Sequence, residues 1–371
     1  MYKTKLIPII ILIFTMSGCE QDQVIPSENC INENFFQDSG KRNFKMGFTS
    51  WPYAASTEAI NKTYEFIKAN SDINTEQIDN SIPWQSLINN TEFPEDFINN
   101  IALKVSKRNW NVEFLLSVSL LNIDRSDLAE DFDGSIPSYT SLNDKQIENA
   151  YFNYISYLMN TFVPDVLIIS IESNELKIKS PDKWNAYKEL MKSVKRRVKQ
   201  LYPSVPISES ITLHNLYKTE VANSEEYVNE IVNYANQMDF VAISYYPFFK
   251  GQHSKAEFQQ AFDFLHSKIT KPIAFSETGH LAENLSVESY NLTINGNPCE
   301  QNAYLETLFT NAQENDYKFV IWWTHRDFDA LWETFPEETK DLGKLWRDTG
   351  LLDENGYKRV GYQTWENVLS H

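Results

Sequence analysis

The chain has 371 residues, 42% of them hydrophobic and 14% aromatic, which is enough apolar material for a sizeable core and too much for wholesale disorder. With 51 acidic against 33 basic residues the formal net charge is -18, a surface that repels phosphate backbones, so no nucleic-acid partner is expected. The 9 Trp and 19 Tyr supply flat, partly polar rings that can stack on sugar C–H faces, although such rings also serve as ordinary core.

At the N-terminus Lys3 and Lys5 precede an apolar run over 6–14, too short to cross a membrane as a mature helix, and Met16-Ser-Gly-Cys19 closes it. The closing residues resemble the lipobox of bacterial lipoproteins. That resemblance implies a signal peptide over 1–19, lipidation at Cys19, and a chain held at the cell envelope by its lipid alone. Residues 20–43 read as a polar tether. Cys30 and Cys299 remain, and in an oxidising compartment they could pair, although the sequence leaves the pairing open. There is no CxxC, HExxH or His cluster, so neither a metal nor a cofactor is expected.

From residue 44 onward, apolar strands alternate with stretches of helical length. Strands are predicted at 44–48, 73–78 (the most polar), 112–121, 166–171, 206–213, 240–245, 273–276 and 319–323. Helices are predicted at 57–69, 94–108, 144–161, 181–201, 224–237 and 256–269, then from 301 and over 364–369. An uninterrupted βα series of this length predicts an α/β fold, a (β/α)8 TIM barrel, as a single domain over 44–371. A doubly wound sheet would open with a Gly-rich phosphate loop, and the 11 Gly of this chain provide none. The basic run 192–199 alternates with apolar positions at helical spacing and reads as a solvated barrel helix. Ser208, Ser210 and His214 lack the G-x-S-x-G elbow of a nucleophilic serine.

Two strands deliver a glutamate at their carboxyl ends, where barrel active sites are built. The fourth runs Val166-Leu-Ile-Ile-Ser-Ile-Glu172-Ser-Asn174-Glu175, and the seventh runs Ile273-Ala-Phe-Ser-Glu277-Thr-Gly-His280. A carboxylate pair across one mouth suits glycoside hydrolysis, in which one acid protonates the leaving oxygen and a second carboxylate attacks or activates water. Each glutamate could equally cap a helix, and Asn174 could either cap one or bond a sugar 2-hydroxyl. His280 reads as a solvated loop residue.

Asn174-Glu175, Glu277-Thr-Gly, Ile243-Ser-Tyr-Tyr246-Pro247, Trp322-Trp323 and the segment from Trp346 to Gly356 resemble the motifs of the clan of retaining β-glycosidases on (β/α)8 barrels. Within that clan they are nearest to the endo-β-1,4-galactanase family, family 53. The resemblance implies Glu175 as acid/base, Glu277 as nucleophile, Tyr245 as the nucleophile's hydrogen-bond partner, and Trp322 or Trp323 as the floor of a subsite. It implies a galactan- or arabinogalactan-like polysaccharide as substrate; a monomer is expected. Trp51 and Trp84, after the first two strands, could line the cleft, and so could Tyr53, His325, Arg326 and Asp329. The clan's Arg near the end of strand two is replaced by Asp79 here, with Asn122 and Arg125 after strand three. Glu172 is an extra acid that could replace Glu175 or raise its pKa. A tethered, non-catalytic glycan-binding protein on the same barrel is the alternative function.

Overall fold

In a β-strand, successive side chains point to opposite faces, and in this chain that alternation sorts residues between a barrel interior and a helix layer. The computed structural model describes residues 30–32, 35–37, 40–79 and 81–371. The expected signal peptide, Cys19 and the first ten residues of the tether lie outside the described residues. The strands are β1 (Lys45–Phe48), β2 (Ile73–Ile78), β3 (Glu113–Val118), β4 (Val166–Ile168), β5 (Ile207–Ser208), β6 (Ser210–Thr212), β7 (Val241–Tyr245), β8 (Ile273–Thr278), β9 (Leu285–Val287), β10 (Leu292–Ile294) and β11 (Phe319–Trp322).

Two parallel arcs, β2-β3-β4-β5 and β1-β11-β8-β7-β6, carry the barrel strands. β5 and β6 flank Glu209 in one extended stretch, which joins the arcs on one side. On the other side the Asp72 amide donates to the Met46 carbonyl (2.9 Å) and the Met46 amide to Asp72 Oδ1 (2.6 Å). The result is the expected (β/α)8 barrel. Helices Thr57–Asn70, Glu95–Lys107, Lys145–Phe162, Trp184–Leu201, Ser224–Ala235, Lys255–Lys268, Pro298–Glu314 and Val360–Leu369 form the outer layer. Their starts carry local signals: Ser56 caps the Ala59 amide, Ser254 and Glu257 form a capping box, and Asn297 precedes Pro298. No described helix is long and apolar enough to cross a membrane.

Ile73, Leu115, Ile168, Ala242, Ala274 and Ile321 fill the interior, while Met46, Leu116, Leu167, Ile243, Phe275 and Val320 pack under the helices. The first strand enters this interior at Gly47, where a Cβ would lie 2.5 Å from the Ile73 carbonyl oxygen and 3.1 Å from Ile321, so only Gly fits. The polar second strand belongs to the barrel because its outward acid is satisfied. Glu76 accepts from Tyr64 (2.7 Å), Ser50 (2.8 Å) and Lys104 (2.8 Å).

Several boundaries differ from the sequence reading. The fourth strand ends at Ile168, before the predicted 171. The fifth is interrupted at Glu209, whose buried carboxylate points into the helix layer and accepts from Tyr187 and Tyr234 (2.6 Å each). The β9–β10 hairpin occupies a stretch read as loop, and its Leu285, Val287 and Ile294 pack with Tyr246, Phe248 and Leu345. Cys30 and Cys299 form a disulfide with 5.6 Å between Cα atoms, so the tether is tied to the start of the helix after β10.

One buried ion pair ties the segment after β11 to the last helix. Arg359 donates to Asp327 Oδ2 at 2.6 Å, and each side chain is 1% exposed. Replacing Arg359 by Met should cost on the order of 3–5 kcal/mol, because Asp327 would be left buried and uncompensated. Urea unfolding will show this, and the double variant Asp327→Asn/Arg359→Met should recover part of the loss.

Candidate active site

Glu277 reaches the barrel mouth through a defect in β8. Against β7 the register runs Ile243↔Phe275 and then Ser244↔Glu277; against β11 it runs Val320↔Phe275 and then Trp322↔Thr278. Both neighbours therefore find one extra residue in β8, a β-bulge at Ser276. Ala274 faces the interior and Phe275 the helices, so uninterrupted alternation would send Glu277 outward with Phe275. The bulge turns it inward, as bulges beside active sites commonly do. Next comes Gly279, where a Cβ would lie 2.7 Å from the Trp323 carbonyl oxygen and 3.3 Å from the Tyr246 ring.

Two neutral groups hold the Glu277 carboxylate. The Tyr246 hydroxyl donates to Oε1 at 2.6 Å and Gln77 Nε2 donates to Oε2 at 3.0 Å. Burial and then the nearby Glu172 charge push the Glu277 pKa up, and the two hydrogen bonds offset this only in part. Burial, followed by Glu277, also raises the Tyr246 hydroxyl, which therefore remains a donor.

Glu172 stands just past β4 in left-handed backbone, φ 54°. Its amide donates to Ser210 Oγ (2.8 Å), Ser244 Oγ donates to its Oε1 (2.6 Å), and Arg125 Nε approaches its Oε2 (3.3 Å). Ser244 is also the register partner of Glu277. One serine thus bonds one carboxylate and sits on the strand beside the other, and adjacent strands are about 4.8 Å apart. Gln77, Ile168, Ile171, Ser210 and Ser276 line the small space beneath Glu277.

The expected site residues divide. Glu175 is the second residue of the helix Asn174–Lys179, where it accepts from Thr212 and from Asn215 (2.8 Å), with Lys179 at 4.0 Å. Asn174 is fully buried: it donates to the Tyr227 hydroxyl (2.9 Å) and accepts from the Thr212 amide (2.7 Å), so its amide is already engaged. The expectation that Tyr245 holds Glu277 is corrected to Tyr246. Tyr245 points outward, bonds Gln252 (2.9 Å) and packs against Phe262 and Tyr304. Strand parity explains this, because Ala242, Ser244 and Tyr246 share the inner face while Ile243 and Tyr245 share the outer one.

The same parity separates the paired tryptophans. Trp322 is fully buried in the helix layer, with its indole N–H on the Thr349 carbonyl (2.9 Å). Trp323 lies 5.2 Å from Trp51, ring to ring. Trp84 is core, donating to the Ala129 carbonyl (2.7 Å), and does not line a cleft. The indole N–H groups of Trp51, Trp323 and Trp346 are enclosed and have no hydrogen-bond partner among the described residues. His280 is buried between the Leu281 and Gln252 carbonyls, contrary to its reading as a solvated residue. His325 is buried against Phe66, Arg326 covers the Tyr53 ring, and Asp329 pairs with Arg347. Acid clusters around Asp327 that could hold a cation already have Arg347 and Arg359 among them.

Residues 138–356, more than half of the chain, match the model of glycosyl hydrolase family 53. The chain belongs to glycosyl hydrolase family 53. It is a glycoside hydrolase, and Glu172, Ser244, Tyr246, Glu277 and Trp323 fall within the matched stretch, whereas Gln77, Asp79 and Arg125 precede it. No curated protein matches by sequence. Among solved structures, an exo-β-1,4-mannosidase from Opitutaceae bacterium strain TAV5 superposes with TM-score 0.62 at 11% identity, covering 88% of this chain, which spans 59% of that protein's length. A GH5_18 protein from Streptomyces cattleya, in complex with GlcNAc, gives TM-score 0.65 at 12% identity over 89% of this chain and 80% of its own. The GH53 catalytic domain of Ignisphaera aggregans gives TM-score 0.54 at 16% identity over 90% and 92%. At these identities the likeness shows the fold.

The raised pKa of Glu277 has a stability consequence. A carboxyl whose folded pKa lies above its unfolded value favours the fold below the unfolded pKa and loses that contribution as pH rises through the folded one. Gln does not titrate. The melting-temperature difference between Glu277→Gln and the natural protein should therefore widen in favour of Gln from pH 4 to pH 9, as followed by calorimetry.

Proposed function

We propose that this enzyme hydrolyses a β-linked polysaccharide of galactan or arabinogalactan type with retention of configuration, using Glu172 as acid/base and Glu277 as nucleophile. The observation that carries the reading is the pair itself: two carboxylates at the mouth, one beside a cation and one held by neutral donors, with Ser244 adjoining both. The family match supports the polymer class. In this reading the one proton of the coupled pair passes from Glu277 to Glu172 as substrate enters; Glu172 gives it to the glycosidic oxygen while the ionised Glu277 attacks the anomeric carbon, the C–O bond breaks, and a glycosyl ester forms on Glu277. Esterification removes the Glu277 charge that disfavours ionised Glu172. Glu172 is then ready to take a proton from the water that cleaves the ester.

Tyr246 and Gln77 keep both Glu277 oxygens oriented, and the adjacent Trp51 and Trp323 rings supply aromatic surface on which a sugar can stack. Glu175 and Asn174 act in this account as supports for the loop after β4. The chain works as a monomer outside the cytoplasm, held by lipid on Cys19. The second reading, a tethered glycan-binding protein, draws on one observation. Ile171 precedes Glu172 and Asn174 is engaged elsewhere, so neither of these positions supplies a free amide for a 2-hydroxyl.

The soluble form beginning after Cys19 should release reducing ends from β-galactan or arabinogalactan, in a panel that includes mannan, xylan and mixed-linkage glucan. Glu277→Gln should abolish that release, Glu172→Gln should cut it by about 10²–10⁴-fold, and Glu175→Gln should leave most of it. Binding without release on every polymer would favour the second reading.

A further inference from the structure

The cation at the mouth is placed asymmetrically. Arg125 comes from the loop after β3, is 5% exposed and stands in left-handed backbone at φ 59°, as Glu172 does at φ 54°. Non-glycine residues adopt this conformation only where their surroundings enforce it, and such positions cluster at functional sites. The guanidinium is forked on Asp79, Nη1 to Oδ1 at 2.7 Å and Nη2 to Oδ2 at 2.6 Å, and Nη1 also reaches the Asn122 carbonyl at 3.1 Å. That fork fixes the plane of the guanidinium and leaves Nε–H for Glu172 Oε2 at 3.3 Å. Glu277 receives only uncharged donors.

We infer that Arg125, steered by Asp79, is a positioning residue that sets the proton affinity and orientation of Glu172, so that the Asp79–Arg125 pair tunes the acid of the reaction without touching substrate. This rests on the reading of Glu172 as acid/base. Other titratable groups around Glu172 are Glu277 on β8, the Tyr246 hydroxyl on β7 and His214 in the helix Leu213–Tyr217. Burial lowers His214 to about 4 and raises Tyr246, so both stay uncharged near neutral pH. Burial would lower Arg125, but Asp79 and then Glu172 hold it above its ordinary value and keep it charged. Near neutral pH the charged side chains that face Glu172 are therefore the Arg125 cation and the Asp79 anion, Glu277 being held largely uncharged by burial.

The two members of the clamp should act in opposite directions. Arg125→Gln removes the cation and exposes Glu172 to Asp79, raising its pKa. Asp79→Asn removes an anion and leaves the cation to Glu172 alone, lowering it. The test uses the soluble protein beginning after Cys19 with ¹³C at the glutamate carboxyl carbons, and Glu172 is assigned by the signal lost in Glu172→Gln. Its NMR titration should move by on the order of one pH unit upward in Arg125→Gln and downward in Asp79→Asn. The alkaline limb of kcat/KM should move with it. Arg125→Lys keeps the charge without the fork, so it should titrate near the natural protein while losing kcat, and Asp79→Asn alone still tests the charge effect if Arg125→Gln does not fold.

Shifts of the same sign, or a Glu172 titration that does not move, would overturn the inference. The titration needs no turnover, so it is separable from the catalytic reading. An active enzyme with an unmoved Glu172 refutes the clamp, and an inactive protein whose Glu172 shifts as stated refutes the catalytic role.

Discussion

Closing a parallel sheet into a barrel gives every strand two environments, a narrow interior and a helix layer, with side chains alternating between them. The site depends on this constraint. Ser244 and Tyr246 face inward because Ala242 does, and Trp323 enters the mouth because Phe319 and Ile321 occupy the inner positions before it. Glu277 has the wrong parity, and one extra residue in β8 corrects it. Glu172 lies beyond the end of β4 and is turned by a left-handed residue conformation. Both carboxylates therefore reach the mouth through local departures from regular strand geometry.

Bringing two carboxylates together in a partly dry mouth sets the electrostatics. The two cannot both ionise freely, and the protein places a cation on one of them only. Neutral donors fix the orientation of Glu277 without stabilising its charge as a cation would. The β9–β10 hairpin and the helix Glu337–Lys344 form a secondary apolar cluster with Tyr246, Phe248 and Trp346 beside the mouth. The site is thus enclosed on the side from which Tyr246 approaches Glu277.

Most of the barrel was legible in the sequence because apolar strands and amphipathic helices have different periods, and each strand was located to within a few residues. Glu277 was legible as a strand-end carboxylate. Tyr246 could have been found by counting alternate positions from Ala242 instead of choosing the first tyrosine of the pair, and Trp323 could have been separated from Trp322 in the same way. The proposed choice of Glu172 over Glu175 rests on where β4 ends and on a residue with positive φ, and neither shows in a local sequence pattern. The bulge at Ser276 was equally hidden, since an insertion shows only against the neighbouring strands. Arg125 lies in a long loop, and its pairing with Asp79 bridges 46 residues of sequence that local patterns do not connect. Trp84 was misread because a strand-end aromatic looks the same in sequence whether it lines a cleft or fills the core.

The central claim is that Glu172 and Glu277 divide the chemistry between them, and azide rescue tests it most directly. The substrate would be a 2,4-dinitrophenyl glycoside of the oligosaccharide that the enzyme is found to cleave. The account predicts that Glu277→Ala with azide yields the α-glycosyl azide, because azide enters the face the nucleophile has vacated. Glu172→Ala should yield the β-glycosyl azide, because azide intercepts an intact glycosyl ester. Rescue in Glu175→Ala with none in Glu172→Ala would contradict the account and move the acid to the helix after β4.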